Sequence, residues 1–292
     1  MNEHHEGVAA EILESLVIHR LLSTRQVGEM HAPGTSRQWV SRHLNGLRSQ
    51  GLVDRALTRT RPPEAVWFAT QQGRAGAGLQ AGSTGRVVTP ESATGPLTAH
   101  LLGVNEVGLA FMRAARARGD ECGPLAWRHE VAHRTPDGKS GALVVADAVL
   151  EYFLFEPERE VLMNRFIELD RGTEPPQRLA EKLTGYVRLH RDLGSWRHRY
   201  GSFPPLMVVF AGRPRFSLER RRRTAVALCR SDPRLRSGLG EVPMMFALLE
   251  DLRTSGPFGP VFTAPEDPDV RVDVLGSPVR PAVATGTEGG AE

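Results

Sequence analysis

Between Gln71 and Pro96 the chain fills with Gly, Ser, Thr, Ala and Pro, a composition that cannot bury enough apolar surface to form a core. This break sets a short apolar-patterned segment before it and a longer one after it. Within 292 residues, that pattern predicts an α+β protein of two domains. The expected boundaries are an N-terminal domain over residues 8–75, a flexible linker over 76–96, a mixed α/β domain over 97–263 and a mobile tail over 264–292, where Pro, Gly, Asp and Thr again dominate. Cys122 and Cys229 lie far apart in a chain large enough to fold without staples. Both are expected to be reduced, and two thiols cannot alone supply a four-ligand zinc site. Met1 to Glu6 has neither a basic start nor an apolar run, and no stretch approaches the ~18 apolar residues of a membrane span. The expectation is a cytoplasmic protein.

In the first segment Val8, Ile12, Leu13, Leu16, Val17, Leu21 and Leu22 recur at helical spacing. A short second helix is predicted over 24–30, beginning at a Ser23 or Thr24 cap. Pro33 and Gly34 impose a turn, and a third helix over 36–49 turns Trp39, Val40, Leu44 and Leu47 inward. Leu52-Val53 and Val66-Trp67-Phe68 read as strands around a basic, proline-containing loop. This is the order of a winged helix-turn-helix. From Arg20 to Arg61 the segment carries Arg20, Arg25, Arg37, Arg42, Arg48, Arg55, Arg59 and Arg61 against only Glu29 and Asp54, a balance suited to a polyanion. On the exposed face of the third helix Ser36, Arg37, Gln38, Ser41, Arg42 and Asn45 combine groups that bond guanine, adenine and phosphate; Arg55, Arg59 and Arg61 in the wing would meet backbone or minor groove. The reading is double-stranded DNA binding. A winged helix used for protein docking is the alternative, with the arginines as a solvated face.

After the break, a helix over 97–118 precedes strand-like runs at 125–134, 142–155, 161–170 and 206–211, with helical patterns at 176–192 and 217–229. Asp147 follows one apolar run, and Glu168-Leu169-Asp170 ends the next. Residues 168 and 170 share one strand face, so adjacent strands can gather three carboxylates. Such a group can hold Mg²⁺ or Mn²⁺ and activate water against a phosphodiester. Lys182, one of two lysines with Lys139 among 37 basic residues, lies where an ammonium could reach the same phosphate. The candidate catalytic set is therefore Asp147, Glu168, Asp170 and Lys182, with the three acids as metal ligands. The same spacing fits surface carboxylates at strand ends.

Other signals carry less. His129-Glu-Val-Ala-His133 spells HExxH, but between Gly123-Pro124 and Pro136-Asp-Gly138 it reads as a strand, on which residues four apart lie ~13 Å from each other. Tyr186 and Tyr200 have no paired-histidine metal motif to make them relaxase nucleophiles and are read as packing residues. Arg220 to Arg223 fits a second phosphate-binding surface or a solvated helix face. No G-x-x-x-x-G-K-[ST] loop is present, so nucleotide hydrolysis is not expected.

The run Phe166-Ile-Glu-Leu-Asp-Arg-Gly-Thr-Glu174, with Arg178-Leu-Ala-Glu-Lys182 and Tyr186, resembles the signature of the actinobacterial replication-relaxation family of plasmids and other mobile elements. Leu21–Gln26, Val40–Val53 and Val66–Gly73 are similar to it too, so the resemblance covers most of residues 10–260. It implies a DNA-binding winged helix joined to a domain resembling the PD-(D/E)XK nucleases, with Asp147 as the first acid and Glu168 as the second. Position 170 is Asp where the nuclease motif has Lys, and Ala146 stands where Pro often precedes the first acid. Lys182 would then replace the missing lysine. The implied function is replication, relaxation or transfer of mobile-element DNA, with a homodimer and protein partners of such a complex compatible with it. The alternative is a transcriptional regulator whose second domain cleaves nothing and binds a partner.

Overall fold

Ser23 and Gln26 fix the start of the chain's second helix by exchanging hydrogen bonds. The Ser23 hydroxyl accepts from the Gln26 amide, and the Gln26 side chain accepts from the Ser23 amide. The computed structural model describes residues 2–77, 88–134 and 144–278. Its N-terminal part runs α1 (Asn2–Ile18), β1 (Leu22–Ser23), α2 (Thr24–His31), α3 (Arg37–Ser49), β2 (Val53–Leu57), β3 (Ala65–Ala69) and α4 (Gln71–Gly76). Ser36 caps α3 by accepting from the Trp39 amide at 3.3 Å. Val40, Leu44 and Leu47 are buried in one core with Ile12, Leu16 and Val27, as the apolar spacing predicts. The three strands form a small antiparallel sheet in the order β1-β3-β2.

The remainder runs α5 (Pro96–Arg118), β4 (Trp127–His133), β5 (Val144–Glu156), β6 (Arg159–Asp170), α6 (Pro176–Arg191), α7 (Leu193–Trp196), β7 (Leu206–Phe210), α8 (Arg215–Ser231), α9 (Pro233–Arg236), β8 (Met244–Leu248), α10 (Leu249–Ser255), β9 (Phe262–Thr263) and β10 (Arg271–Val272). One sheet holds its strands in the order β10-β9-β8-β7-β6-β5-β4. β4, β5 and β6 form an antiparallel meander; β7 and β8 join parallel to β6 through the crossover helices α6 and α8. β7 and β8 are buried at every residue, as parallel strands covered on both faces must be. One covering core joins residues of α5 and α10 to the sheet, and the other joins α6, α8 and α9 to it. The architecture is mixed α and β, with two sheets.

Two expectations change. Of the predicted linker, 78–87 lies outside the described residues, but 88–96 is packed. A 3-10 turn at Ser92–Thr94 buries Ala93 in a small core with Leu21, Val66, Phe68 and Leu101. Small side chains there permit close approach instead of leaving the chain loose. Of the predicted tail, 264–278 is also ordered: β10 pairs with β9, Val274 is fully buried, and the Asp273 carboxylate accepts from the Leu275 and Ser277 amides at 2.9 Å each. Lys139 and 279–292 lie outside the described residues. Cys122 and Cys229 are buried free thiols, and burial pushes both up to about 12. Among the described residues no helix is long and apolar enough to cross a membrane.

The N-terminal unit is not a separate bead. Asn105 of α5 donates to the Leu21 carbonyl at 3.0 Å and accepts from the Trp127 indole at 3.0 Å. Gln26 donates to Glu106 at 2.6 Å, Arg25 pairs with the same carboxylate, and Arg113 of α5 pairs with Glu29 of α2.

Candidate functional site

β5 and β6 run antiparallel with Ala148 opposite Ile167, a register that places Asp147 beside Glu168. The two carboxylates converge on the ammonium of Lys182, which reaches down from α6. It donates to Asp147 Oδ1 at 2.9 Å and forms an ion pair with Glu168 Oε2. Asp147 Oδ2 accepts from the Leu169 amide at 2.8 Å and faces His100 Nε2 of α5 at 3.3 Å. Tyr186, one helical turn after Lys182, donates its hydroxyl to Glu168 Oε1. Asp147, Glu168, Lys182 and His100 border a cavity of about 460 Å³, whose walls also carry Asp170, Arg171, Thr173, Arg178 and Arg221. The cavity opens beyond the carboxyl end of β6, the position at which open α/β sheets commonly bind ligands.

Their neighbours drive the two acids apart. Burial opposes ionisation of Asp147, but the His100 contact and the Lys182 charge outweigh it and hold this carboxyl well below the usual range. Glu168, fully enclosed and facing the Asp147 charge, is pushed well above the ordinary glutamate range despite Lys182 and Tyr186. Burial also disfavours the charged lysine, yet Glu168 and Asp147 prevail and raise Lys182 to about 12. One carboxylate held strongly ionised, one poised toward the neutral acid and a cation between them make a site with perturbed acid–base chemistry.

Asp170 lies on the same strand face as Glu168 but turns toward α8. Arg221 Nε donates to both its oxygens at 2.9 and 2.8 Å, and the Gly172 amide donates to Oδ1 at 2.7 Å. That loop needs a residue at φ +64°, which Gly172 adopts without strain. Glu168 and Asp170 thus share the face covered by α6 and α8, but Glu168 meets Lys182 and Tyr186 of α6 and Asp170, at the strand end, meets Arg221 of α8. Among the described residues no group of three or more His, Cys, Asp or Glu is placed to hold a metal ion.

Sequence reasoning passed over three contributors. Tyr186 packs fully in the core as expected, and its further bond to Glu168 follows from its spacing of four from Lys182 on one helix face. Arg221 was submerged in an arginine run, and His100 had no local signal because its contact with Asp147 is made only by the fold. The HExxH pair lies on β4 with separate partners: His129 Nε2 meets Asn105 Oδ1 at 2.8 Å, and His133 Nε2 meets the Tyr200 hydroxyl at 2.9 Å.

On the N-terminal unit Ser36, Arg37, Gln38, Arg42 and Asn45 are exposed on α3 and Ser41 is half-buried; Arg55, Arg59 and Arg61 are exposed on the β2–β3 hairpin. Ser36 is also the α3 cap, so part of its hydrogen bonding serves the helix.

A family model described as Replication-relaxation matches residues 13–206, from α1 to the start of β7. The chain belongs to the replication-relaxation family. The matched span includes α3, the β2–β3 hairpin, Asp147, Glu168, Asp170 and Lys182, so both surfaces read from the sequence fall inside this family's domain. No curated protein and no solved structure matches the chain.

Proposed function

We propose that this replication-relaxation protein binds double-stranded DNA of a plasmid or other mobile element through a winged helix-turn-helix and acts on that DNA at the Asp147-Glu168-Lys182 cleft as a metal-dependent nuclease. The observation that carries the second half is the convergence of Asp147 and Glu168, from adjacent antiparallel strands, on Lys182 inside one cavity. This is the acid pair that the resemblance to PD-(D/E)XK nucleases implies, with the lysine supplied by α6. For the first half, α3 offers an open face of arginine, amide and hydroxyl groups, with Arg37 and Arg42 making no ion pair among the described residues.

The donor set suits Mg²⁺ or Mn²⁺, because such ions commonly take one or two protein carboxylates and fill their remaining positions with water and substrate phosphate. Asp147 and Glu168 would hold the ion, which would share or take over the oxygens that the Lys182 ammonium contacts. Asp170 is not in this set, since Arg221 and the Gly172 amide occupy its oxygens. When bound, the ion supplies Lewis acidity toward a phosphoryl oxygen and toward an attacking water. Lys182 neutralises the pair of carboxylates and offers a cation to the phosphate. Tyr186 orients Glu168, and Arg171 and Arg178 line the approach of a polyanion.

One feature favours the regulator reading: a single ammonium already contacts both carboxylates, which is also how an inactive site would be neutralised. Supercoiled plasmid incubated with Mg²⁺ or Mn²⁺ and either the intact chain or Glu168→Ala separates the two. Nicked or linear product from the intact chain, reduced at least about 100-fold in the variant, is expected if Glu168 holds the ion. No cleavage by either, with plasmid still shifted on a native gel, would replace the nuclease with a DNA-binding regulator.

A further inference from the structure

Among the described residues Phe216 is the most exposed of the large apolar side chains, at 72%, in the first turn of α8. Its surroundings are basic. Arg220 and Arg223 follow at spacings of four and seven, on the same helix face, are exposed and make no ion pair among the described residues. Just before the helix, Arg213 donates to the Gly172 carbonyl at 3.4 Å, in the same loop as Arg171 and Thr173 of the cavity wall. Arg215 does not belong to this face, because Glu250 and Asp251 hold it at 3.2 and 2.7 Å. Arg221 likewise turns inward to Asp170. One edge of α8 therefore presents an aromatic ring beside Arg220 and Arg223, and Arg213 ties the start of that helix to the loop that forms part of the cleft wall.

A lone exposed phenylalanine is ordinary on a surface; its setting among arginines is what points to a ligand. An aromatic platform among phosphate-binding arginines is the chemistry that holds single-stranded nucleic acid, whose bases expose their faces for stacking. A closed duplex offers no such face except at an end or an opened step. We propose that Arg213, Phe216, Arg220 and Arg223 form a single-strand-binding edge beside the cleft, with Phe216 stacking on an unpaired base. The DNA handled at the cleft is then locally unpaired, whereas α3 reads duplex. The inference rests on reading the cleft as a DNA site, and it assigns that site its substrate class.

The test measures fluorescence anisotropy of the full chain with three labelled oligonucleotides: a single strand, a blunt duplex, and a duplex carrying a single-stranded flap. Phe216→Ala should weaken single-strand and flap binding about 5- to 100-fold, Phe216→Trp should retain it, and blunt-duplex affinity should stay within twofold of the unaltered chain. Arg220→Ala should lower the slope of log affinity against log salt for the single strand by about 0.7. Arg37→Ala should do the reverse, weakening duplex binding and sparing the single strand. Unchanged single-strand affinity in Phe216→Ala, with duplex binding intact, overturns the α8 edge and leaves the DNA reading standing. Absence of binding to all three oligonucleotides by the unaltered chain overturns both. An effect of Phe216→Ala confined to self-association, read by light scattering, assigns the ring to a protein interface and overturns the edge.

Discussion

Lys182 stands between two carboxylates whose surroundings oppose each other, and this sets the sign of their contributions to stability. Asp147 is held below its ordinary range, so its ionised form stabilises the fold above the unfolded value near 3.9 and that contribution disappears only as pH falls below the usual aspartate range. Glu168 is displaced upward, mainly by burial; keeping it ionised costs stability once pH exceeds the unfolded value near 4.3. In buffer with chelator, Asp147→Asn should therefore lose roughly 1.5–3 kcal/mol at pH 7. Glu168→Gln should gain roughly 1 kcal/mol there, as removal of a strained functional acid commonly does. The Glu168→Gln difference should shrink toward pH 4, whereas the Asp147→Asn difference should persist there and fade only at lower pH. Urea unfolding at the two pH values measures them, and a Glu168→Gln variant less stable than the parent at pH 7 would mean that Lys182 and Tyr186 fully compensate the buried charge. Of this site, the acids and the lysine were legible because strand periodicity and the scarcity of lysine pick them out. The inward turn of Arg221 and the approach of His100 were not, because no local pattern encodes a contact between distant elements.

At the level of elements, α5 shows how the sheet is drawn close to its covering helix. Gly108 faces the indole of Trp127, and a Cβ placed there would lie 2.4 Å from ring atoms; Gly103 faces Leu169 in the same way at 2.5 Å. Glycine inside a helix costs about 1 kcal/mol against alanine, so these positions are set by packing. Gly108→Ala should displace Trp127, disturb its hydrogen bond to Asn105 and destabilise the protein by roughly 1–3 kcal/mol, despite the gain in helix propensity. Thermal unfolding checks this, and an unchanged or higher Tm would mean that the indole can move aside freely. Most elements flanking the cleft were legible in period and length: α5, the three strands of the meander, α6, β7 and α8 all fall where the patterns place them. β8 was not, because Val242 to Leu249 is a nearly continuous apolar run that passes from strand to helix without a turn signal, and such a run has no period to read. The segments expected to be loose failed for a related reason: composition reports what a segment can bury by itself, whereas Ala93 and Val274 are buried by what surrounds them.

Across the whole molecule, the helix-rich N-terminal unit and the sheet share a single core, in which Ile12, Leu16 and Val27 are continuous with Val104, Phe111 and Ile167. The polar part of that junction is equally committed. Glu106, with a side chain only 9% exposed, receives Arg25 and Gln26 of α2 and also faces Arg253 of α10. The face of α3 and the cleft are consequently carried on one body, and duplex bound at the first would stand at a fixed offset from strand bound at the second. Rigid coupling predicts that the intact chain unfolds in one calorimetric transition, with van't Hoff and calorimetric enthalpies equal. Glu106→Ala removes the shared acceptor and leaves the buried Gln26 amide with the Leu102 carbonyl alone, while Arg25 keeps Glu29, a loss of about 1–3 kcal/mol concentrated at the junction. The variant should melt earlier, with the N-terminal unit separating as a first transition, and duplex affinity through α3 should survive while flap-containing DNA loses the advantage that a fixed offset confers. Two transitions in the unaltered chain would show that the units are coupled only weakly, and the offset between reading face and cleft would then be set by the DNA and not by the protein.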